Sequence, residues 1–224
     1  MSETSLQSLH PPYLHGEAAE EPLFGAIAED LETRGYSIQP NALPIGVSEY
    51  LSARIHALEA SDFAEAAVGR GVNSVQNRFV RQNKIHWAQD DHGENPWASW
   101  TDSLRTYLNR RLFLGLFSFE SHFSRYDPGD FYRRHLDAFP GERNRIVSVV
   151  AYLNEGWLPD QGGELVLYHE DSSSTMVTPA AGTLVVFLSE EVPHEVLPTR
   201  RSRFGLAGWY RVNANLGEQL DPPR

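Results

Sequence analysis

Three residues in this chain carry the side chains from which a metal centre with open coordination positions is built: His135, Asp137 and His194. Two imidazoles and one carboxylate form the facial triad that holds non-haem Fe(II), and a three-ligand set of this kind also suits Zn(II). Residue types alone leave both metals open. His135 and Asp137 flank Leu136 in a stretch that reads as extended. On a strand, residues two apart face the same way, so both tips can converge on one ion while Leu136 points into a packed opposite face. Arg203 follows shortly after His194. Its planar, permanently charged guanidinium can grip a carboxylate at two points, as a dicarboxylate co-substrate would require. A lone His-Xaa-Asp is a common pattern, so the surrounding elements decide whether these residues converge.

Those elements change character part-way along the chain. Helical spacing of apolar residues predicts helices over Glu20–Arg34, Gly46–Leu58 and Trp97–Arg111, with Phe63–Val68 as a further helical turn. Tyr36–Ile38 reads as a short strand, Val80–Trp87 as extended, and Asp90–Glu94 as a polar loop tip. From Leu112 onward, strands are predicted at Phe113–Tyr126, Phe131–Leu136, Ile146–Leu153, Glu164–Tyr168, Thr183–Leu188 and Arg203–Arg211. Asp-Pro-Gly, Pro-Gly-Glu-Arg, Gly-Gly and Pro-Ala-Ala-Gly turns separate them. Helices followed by a run of short strands predict an α+β domain, a β-sandwich or jelly roll braced by N-terminal helices. Residues 1–18 read as a flexible N-terminus, 19–112 as a helical support region of the same domain, and 113–215 as its β core.

Bulk properties limit the partners. Thirty acidic residues against 19 basic ones give a formal net charge of −11, which argues against sequence-independent nucleic-acid binding. Arg133, Arg134, Arg143, Arg145, Arg200, Arg201 and Arg203 nevertheless gather around the candidate ligands, a local basic mouth suited to an anionic co-substrate. With no cysteine, disulfides, thiolate zinc sites and cysteine nucleophiles are excluded. The polar N-terminus does not read as a signal peptide, and no apolar run matches a membrane span. A soluble, cytoplasmic protein with no membrane or nucleic-acid partner is expected.

Several segments then recur in a specific order. They are Tyr126-Asp-Pro-Gly-Asp-Phe-Tyr132-Arg-Arg-His135-Leu-Asp137, Val149-Val-Ala-Tyr152-Leu-Asn154 and Gly162-Gly163-Glu-Leu165. Next come Gly182-Thr-Leu-Val-Val-Phe187, Pro193-His194-Glu-Val196 and Arg203-Phe-Gly-Leu-Ala-Gly-Trp209-Tyr210. Together with Arg81–Trp87 they resemble the 2-oxoglutarate/Fe(II)-dependent dioxygenases of the prolyl 4-hydroxylase type, in particular bacterial relatives of the oxygen-sensing animal enzymes. The resemblance implies a double-stranded β-helix (jelly roll) core. It implies Fe(II) held by His135, Asp137 and His194, with 2-oxoglutarate and O2 as co-substrates and ascorbate as reductant. It places Arg203 and Tyr152 on the distal carboxylate of 2-oxoglutarate and Tyr126 nearer its metal-chelating end. It assigns substrate contacts to Arg145, Trp209 and Arg81, with Trp209 packed beside His194 and a substrate-facing loop near 81–96. Asn83 departs from the acidic residue usual at its position.

The implied reaction is hydroxylation of a prolyl residue in a protein, and bacterial relatives suggest a translation factor such as elongation factor Tu as substrate. Two other functions stay open: the same chemistry on another residue or a small molecule, and a metal-bearing jelly-roll module without turnover. Gly162 and Gly163 read as a tight turn without chemistry, and His86, His122 and His169 as structural or surface residues.

Overall fold

In the computed structural model, which describes residues 14–66, 79–88, 95–138 and 144–212, strand alternation sets up two antiparallel sheets. The residues before 14, the Asp90–Glu94 loop, Arg143 and the residues from 213 onward lie outside the described residues. The larger sheet has the order β1-β9-β6-β11-β4-β3-β2, and the smaller one β5-β10-β7-β8. Their strands are β1 (Tyr36–Gln39), β2 (Ala64–Glu65), β3 (Lys84–Trp87), β4 (Ser118–Tyr126), β5 (Tyr132–His135) and β6 (Arg145–Tyr152). The remainder are β7 (Leu165–Tyr168), β8 (Ser174–Val177), β9 (Leu184–Leu188), β10 (His194–Val196) and β11 (Arg203–Arg211). This is the double-stranded β-helix expected, and β1, β2 and β3 of the N-terminal half are hydrogen-bonded members of its larger sheet.

Three helices cover the outer face of that sheet: α1 (Leu14–Arg34), α2 (Ile45–Ala57) and α3 (Pro96–Leu112). Phe24, Ile27, Ala28 and Leu31 of α1 pack with Trp100, Leu104 and Leu108 of α3 against Val147, Val149, Ala151, Leu184, Val186, Leu206 and Tyr210. The alternate positions Tyr126, Tyr152, Val185 and Phe187 face inward onto Leu165, Leu167 and Val196 of the smaller sheet. One periodicity therefore builds a helix-covered face and a sandwich interior from the same strands.

α1 starts at Leu14, earlier than the predicted Glu20, and stops where predicted. Gly35 takes a positive φ of 77° and its N–H bonds back to the Leu31 carbonyl. Asn95 caps α3 through the Ala98 N–H, with Pro96 at the first helical position.

The expected strand at Phe113 begins only at Ser118. Phe113 is instead the left-handed cap of α3, and the Asn109 amide ties up both backbone groups of Leu116, removing them from any ladder. Phe63–Val68 is not helical where described: a 3-10 turn at Ala60–Asp62 leads into β2. The short strands β8 and β10 were not anticipated, because three or four residues of mixed polarity carry no readable alternation. Gly208 on β11 lies where the ring of Phe119 occupies the space a Cβ would need, so close strand packing at this point requires glycine.

Candidate metal centre and co-substrate pocket

The smaller sheet brings the two histidines together. β5 and β10 pair antiparallel with His135 opposite His194, and their ring centroids lie 4.2 Å apart. The ladder shifts register between His194 and Val196, so Val196 meets Tyr132, an irregularity of the kind that re-aims side chains beside active sites. Asp137 sits beyond the end of β5, at a bend. Its Oδ1 is 3.6 Å from His135 Nε2 and its Oδ2 is 3.8 Å from His194 Nε2. Ligand atoms of the three residues all lie within 4.8 Å of one another. The geometry corrects one expectation: Leu136 is 39% exposed, not packed. β5 ends at His135, and the chain delivers Asp137 around a bend instead of along a pleat.

Each imidazole is oriented through its other nitrogen. His135 Nδ1 lies 2.7 Å from the Arg133 carbonyl oxygen, and His194 Nδ1 lies 3.0 Å from that of Val192. A carbonyl can only accept, so each Nδ1 carries the proton and each Nε2 presents its lone pair to the shared centre. Burial alone would push the Asp137 carboxyl up, but His194, His135 and the Ser148 hydroxyl outweigh it and hold the group well below the usual carboxylate range. Three deprotonated, convergent donors fit a divalent cation.

On the facing sheet, Arg203 is 3% exposed and pairs with no carboxylate among the described residues. Its Nε donates to the Gly163 carbonyl at 2.8 Å, and its guanidinium lies 4.8 Å from the Tyr126 ring centroid and 5.0 Å from that of Tyr152. The Tyr152 hydroxyl is buried without a hydrogen-bond partner, and burial pushes it up to about 12, so it stays a donor. A buried cation beside an unsatisfied hydroxyl fits a carboxylate-bearing ligand. Arg203, Tyr152, Tyr126 and the three metal-binding candidates all line one cavity of about 520 Å³.

Comparison with known proteins agrees with this geometry. Residues 121–211 match the family model described as the 2OG-Fe(II) oxygenase superfamily. The crystal structure of a Pseudomonas putida prolyl-4-hydroxylase is 41% identical, with a TM-score of 0.77, over 85% of this chain and 100% of that one. A Trichoplax adhaerens prolyl hydroxylase, solved with a hypoxia-inducible factor oxygen degradation domain peptide, is 27% identical with a TM-score of 0.73 over 87% and 91%. The chain belongs to the 2-oxoglutarate/Fe(II)-dependent oxygenases, among their prolyl-hydroxylase-like members. A Caenorhabditis elegans hypoxia-inducible factor prolyl hydroxylase is 40% identical over 85 residues, 37% of this chain and 12% of that protein. The chain thus spans well under two thirds of the curated relatives it matches.

In this 2-oxoglutarate oxygenase the supporting residues are as specific as the ligands. Ser148 donates to Asp137 Oδ2 at 2.7 Å and meets Ser189 at 2.9 Å, both buried. The sequence reading missed this pair, although a serine at an inward position of the apolar strand Arg145–Tyr152 was a signal. Losing such an orienting bond typically weakens metal affinity by about 10- to 100-fold. Ser148→Ala is therefore expected to weaken Mn(II) or Co(II) binding by roughly tenfold or more in a calorimetric titration, with the fold intact.

Gly163, read as a turn without chemistry, supplies the carbonyl that fixes Arg203. With φ at 72° and Arg203 Cδ 3.0 Å from where a Cβ would sit, only glycine suits the position.

The residues expected at the substrate line the same cavity. Arg145 is buried, held by Glu120 at 2.7 Å, and stacks 3.6 Å above the Trp209 ring. Trp209 meets His122 and Arg145, whereas the rings against His194 are His135 and Phe187, so the expected Trp209–His194 packing is not formed. Arg81 bridges to Tyr132, stacks on its ring at 4.6 Å, and donates to Asn83. Tyr132 in turn stacks on His135 at 3.5 Å. Asn83, in place of an acid, gives Arg81 a neutral acceptor.

His122, read as structural or surface, is buried in the cavity wall. Burial, with Arg81 and Arg145, pushes it down to about 3, and burial with His135 pushes His194 to about 4. Both titrate near 6.5 when unfolded, so the unfolded chain takes up protons that the folded one refuses. Stability of the metal-free protein is complete above about pH 6.5 and falls as pH drops toward those folded values. The expected slope approaches about 1.4 kcal/mol per pH unit for each histidine. Urea unfolding across this range checks it, and His122→Phe should remove one histidine's share.

Proposed function

We propose that this oxygenase hydroxylates a prolyl residue in a protein substrate. The observation that carries the reading is one cavity joining three elements: the metal-binding candidates, the Arg203–Tyr152 pocket, and a wall of Trp87, His122, Arg145 and Trp209. Such a cavity can hold a dicarboxylate and a peptide segment side by side. The names of the Pseudomonas putida and Trichoplax adhaerens relatives, both prolyl hydroxylases, support the same choice.

His135, Asp137 and His194 would hold Fe(II), leaving positions free for a chelating co-substrate and O2. Arg203 would bind and neutralise the far carboxylate, with Tyr152 donating to it and Tyr126 donating nearer the metal-chelating end. Iron bound there supplies, with 2-oxoglutarate and O2, the oxidising chemistry that inserts one oxygen into a C–H bond and releases succinate and CO2. The buried ligands and aromatic lining exclude water from the reacting atoms. Arg145, Arg81 and Trp209 stand where a peptide would lie, ascorbate is the expected reductant, and a translation factor such as elongation factor Tu is a candidate substrate.

The test is incubation of purified protein with Fe(II), ascorbate, 2-oxoglutarate and a prolyl peptide library. Succinate release and a mass gain of one oxygen on proline are expected. A gain on another residue or a small molecule replaces the substrate part of the reading. Metal binding without succinate formation from any substrate leaves a binding module.

A further inference from the structure

We propose that His122 accepts a hydrogen bond from a backbone N–H of the substrate next to its target proline, and so acts as a specificity-determining residue. The proposal rests on the peptidyl substrate inferred above. Alternation along β4 turns Glu120, His122, Ser124 and Tyr126 toward the cavity. No step of the proposed reaction uses the imidazole, yet it is 2% exposed and lines the cavity between two tryptophan rings. Trp87 meets it edge-on at 5.3 Å and 88°, and Trp209 meets it at 5.3 Å and 57°.

The hydrogen bonds settle its polarity. His122 Nδ1 lies 3.3 Å from the Phe123 carbonyl oxygen and 3.1 Å from Ser124 Oγ. A carbonyl only accepts, so Nδ1 carries the proton and Nε2 is an acceptor, without a hydrogen-bond partner among the described residues. Burial and the nearby Arg81 and Arg145 disfavour a second proton, so the ring keeps that acceptor. Those two cations are engaged elsewhere, with Asn83 and Glu120.

An acceptor on the cavity wall with no protein partner can be completed by a ligand that enters the cavity. Trp209 adds Nε1–H, a buried donor that also lacks a partner. One acceptor and one donor on adjoining rings complement the N–H and C=O of a peptide backbone. Proline itself has no N–H, so the donor must come from a flanking residue.

The experiment takes the best-hydroxylated member of the prolyl peptide library and replaces each flanking backbone N–H in turn with an ester oxygen. For the unaltered protein, one of these esters is expected to lower kcat/KM by about tenfold or more. In His122→Phe the ester-to-amide ratio should return close to unity, and in His122→Gln, which keeps an acceptor, part of the penalty should persist. Taking the ratio within each protein cancels any general loss from altered packing, and His122→Leu serves where phenylalanine is not accommodated. An ester penalty equally large in His122→Phe and His122→Leu overturns the proposal, as does the absence of a penalty at either flank. If the unaltered protein hydroxylates no library member, the peptidyl reading falls first and the role of His122 falls with it.

Discussion

Asp137→Ala should remove metal binding and turnover together. Asp137 is the sole anion of the ligand set, and its two oxygens lie between His135 and His194 at 3.6 and 3.8 Å. Its carboxyl is held ionised by those imidazoles and by Ser148, so it meets an incoming cation already deprotonated. A divalent ion, one carboxylate, a dianionic co-substrate and the Arg203 guanidinium together sum to neutrality. Removing the carboxylate leaves a net positive charge in a buried site, which is unfavourable at low effective dielectric.

The loss should exceed the ~10–100-fold typical of an orienting partner, which places the expected fall in Mn(II) or Co(II) affinity beyond about 100-fold. Succinate formation should drop below detection. Far-UV circular dichroism should stay unchanged, because Asp137 lies past the end of β5 and supports no ladder. Residual turnover above a few per cent, with metal still bound, would place the ligand elsewhere.

Arg203→Ala should act on the co-substrate and spare the metal. The guanidinium is buried, fixed by Gly163 and flanked by Tyr126 and Tyr152, so little freedom remains to be lost when a carboxylate binds. Two charge-assisted hydrogen bonds at about 1.5 kcal/mol or more each amount to roughly 3 kcal/mol, or about 100-fold in affinity. The KM for 2-oxoglutarate is expected to rise by about that factor, while Mn(II) affinity measured without co-substrate changes far less. Arg203→Lys keeps the charge and loses the planar fork, so an intermediate rise of about tenfold is expected. A KM within about twofold of the unaltered protein would move the carboxylate site away from Arg203.

Much of this site was legible because its chemistry depends on residue types at short spacing. His135 and Asp137 are two positions apart, and Arg203, Gly205, Ala207 and Trp209 alternate along β11, whose bounds the structure reproduces. Ser148 and Glu120 were not read, and His122 was read only as structural or surface. Each is a polar residue within a strand, and its purpose depends on a partner outside that strand or on a neighbouring one: Asp137 for Ser148, Arg145 for Glu120, Trp87 and Trp209 for His122. Leu136 was misplaced for a related reason. Two-residue spacing suggests a pleat, and only the course of the chain after His135 shows a bend.

The sequence by itself determined the ligand types, the longer helices and strands, and the succession of a helical half by a strand-rich half. These depend on local periodicity and side-chain chemistry, which a single chain displays directly. Tertiary structure alone decided that His135 lies opposite His194 across β5 and β10, and that Asp137 reaches the same centre from a bend. It also decided that Arg203 has no carboxylate partner among the described residues while Arg145 is taken by Glu120. The physical reason is that sheet register and ion-pair choice are set by which strands become neighbours. That information is distributed over many packing contacts and resides in no single segment.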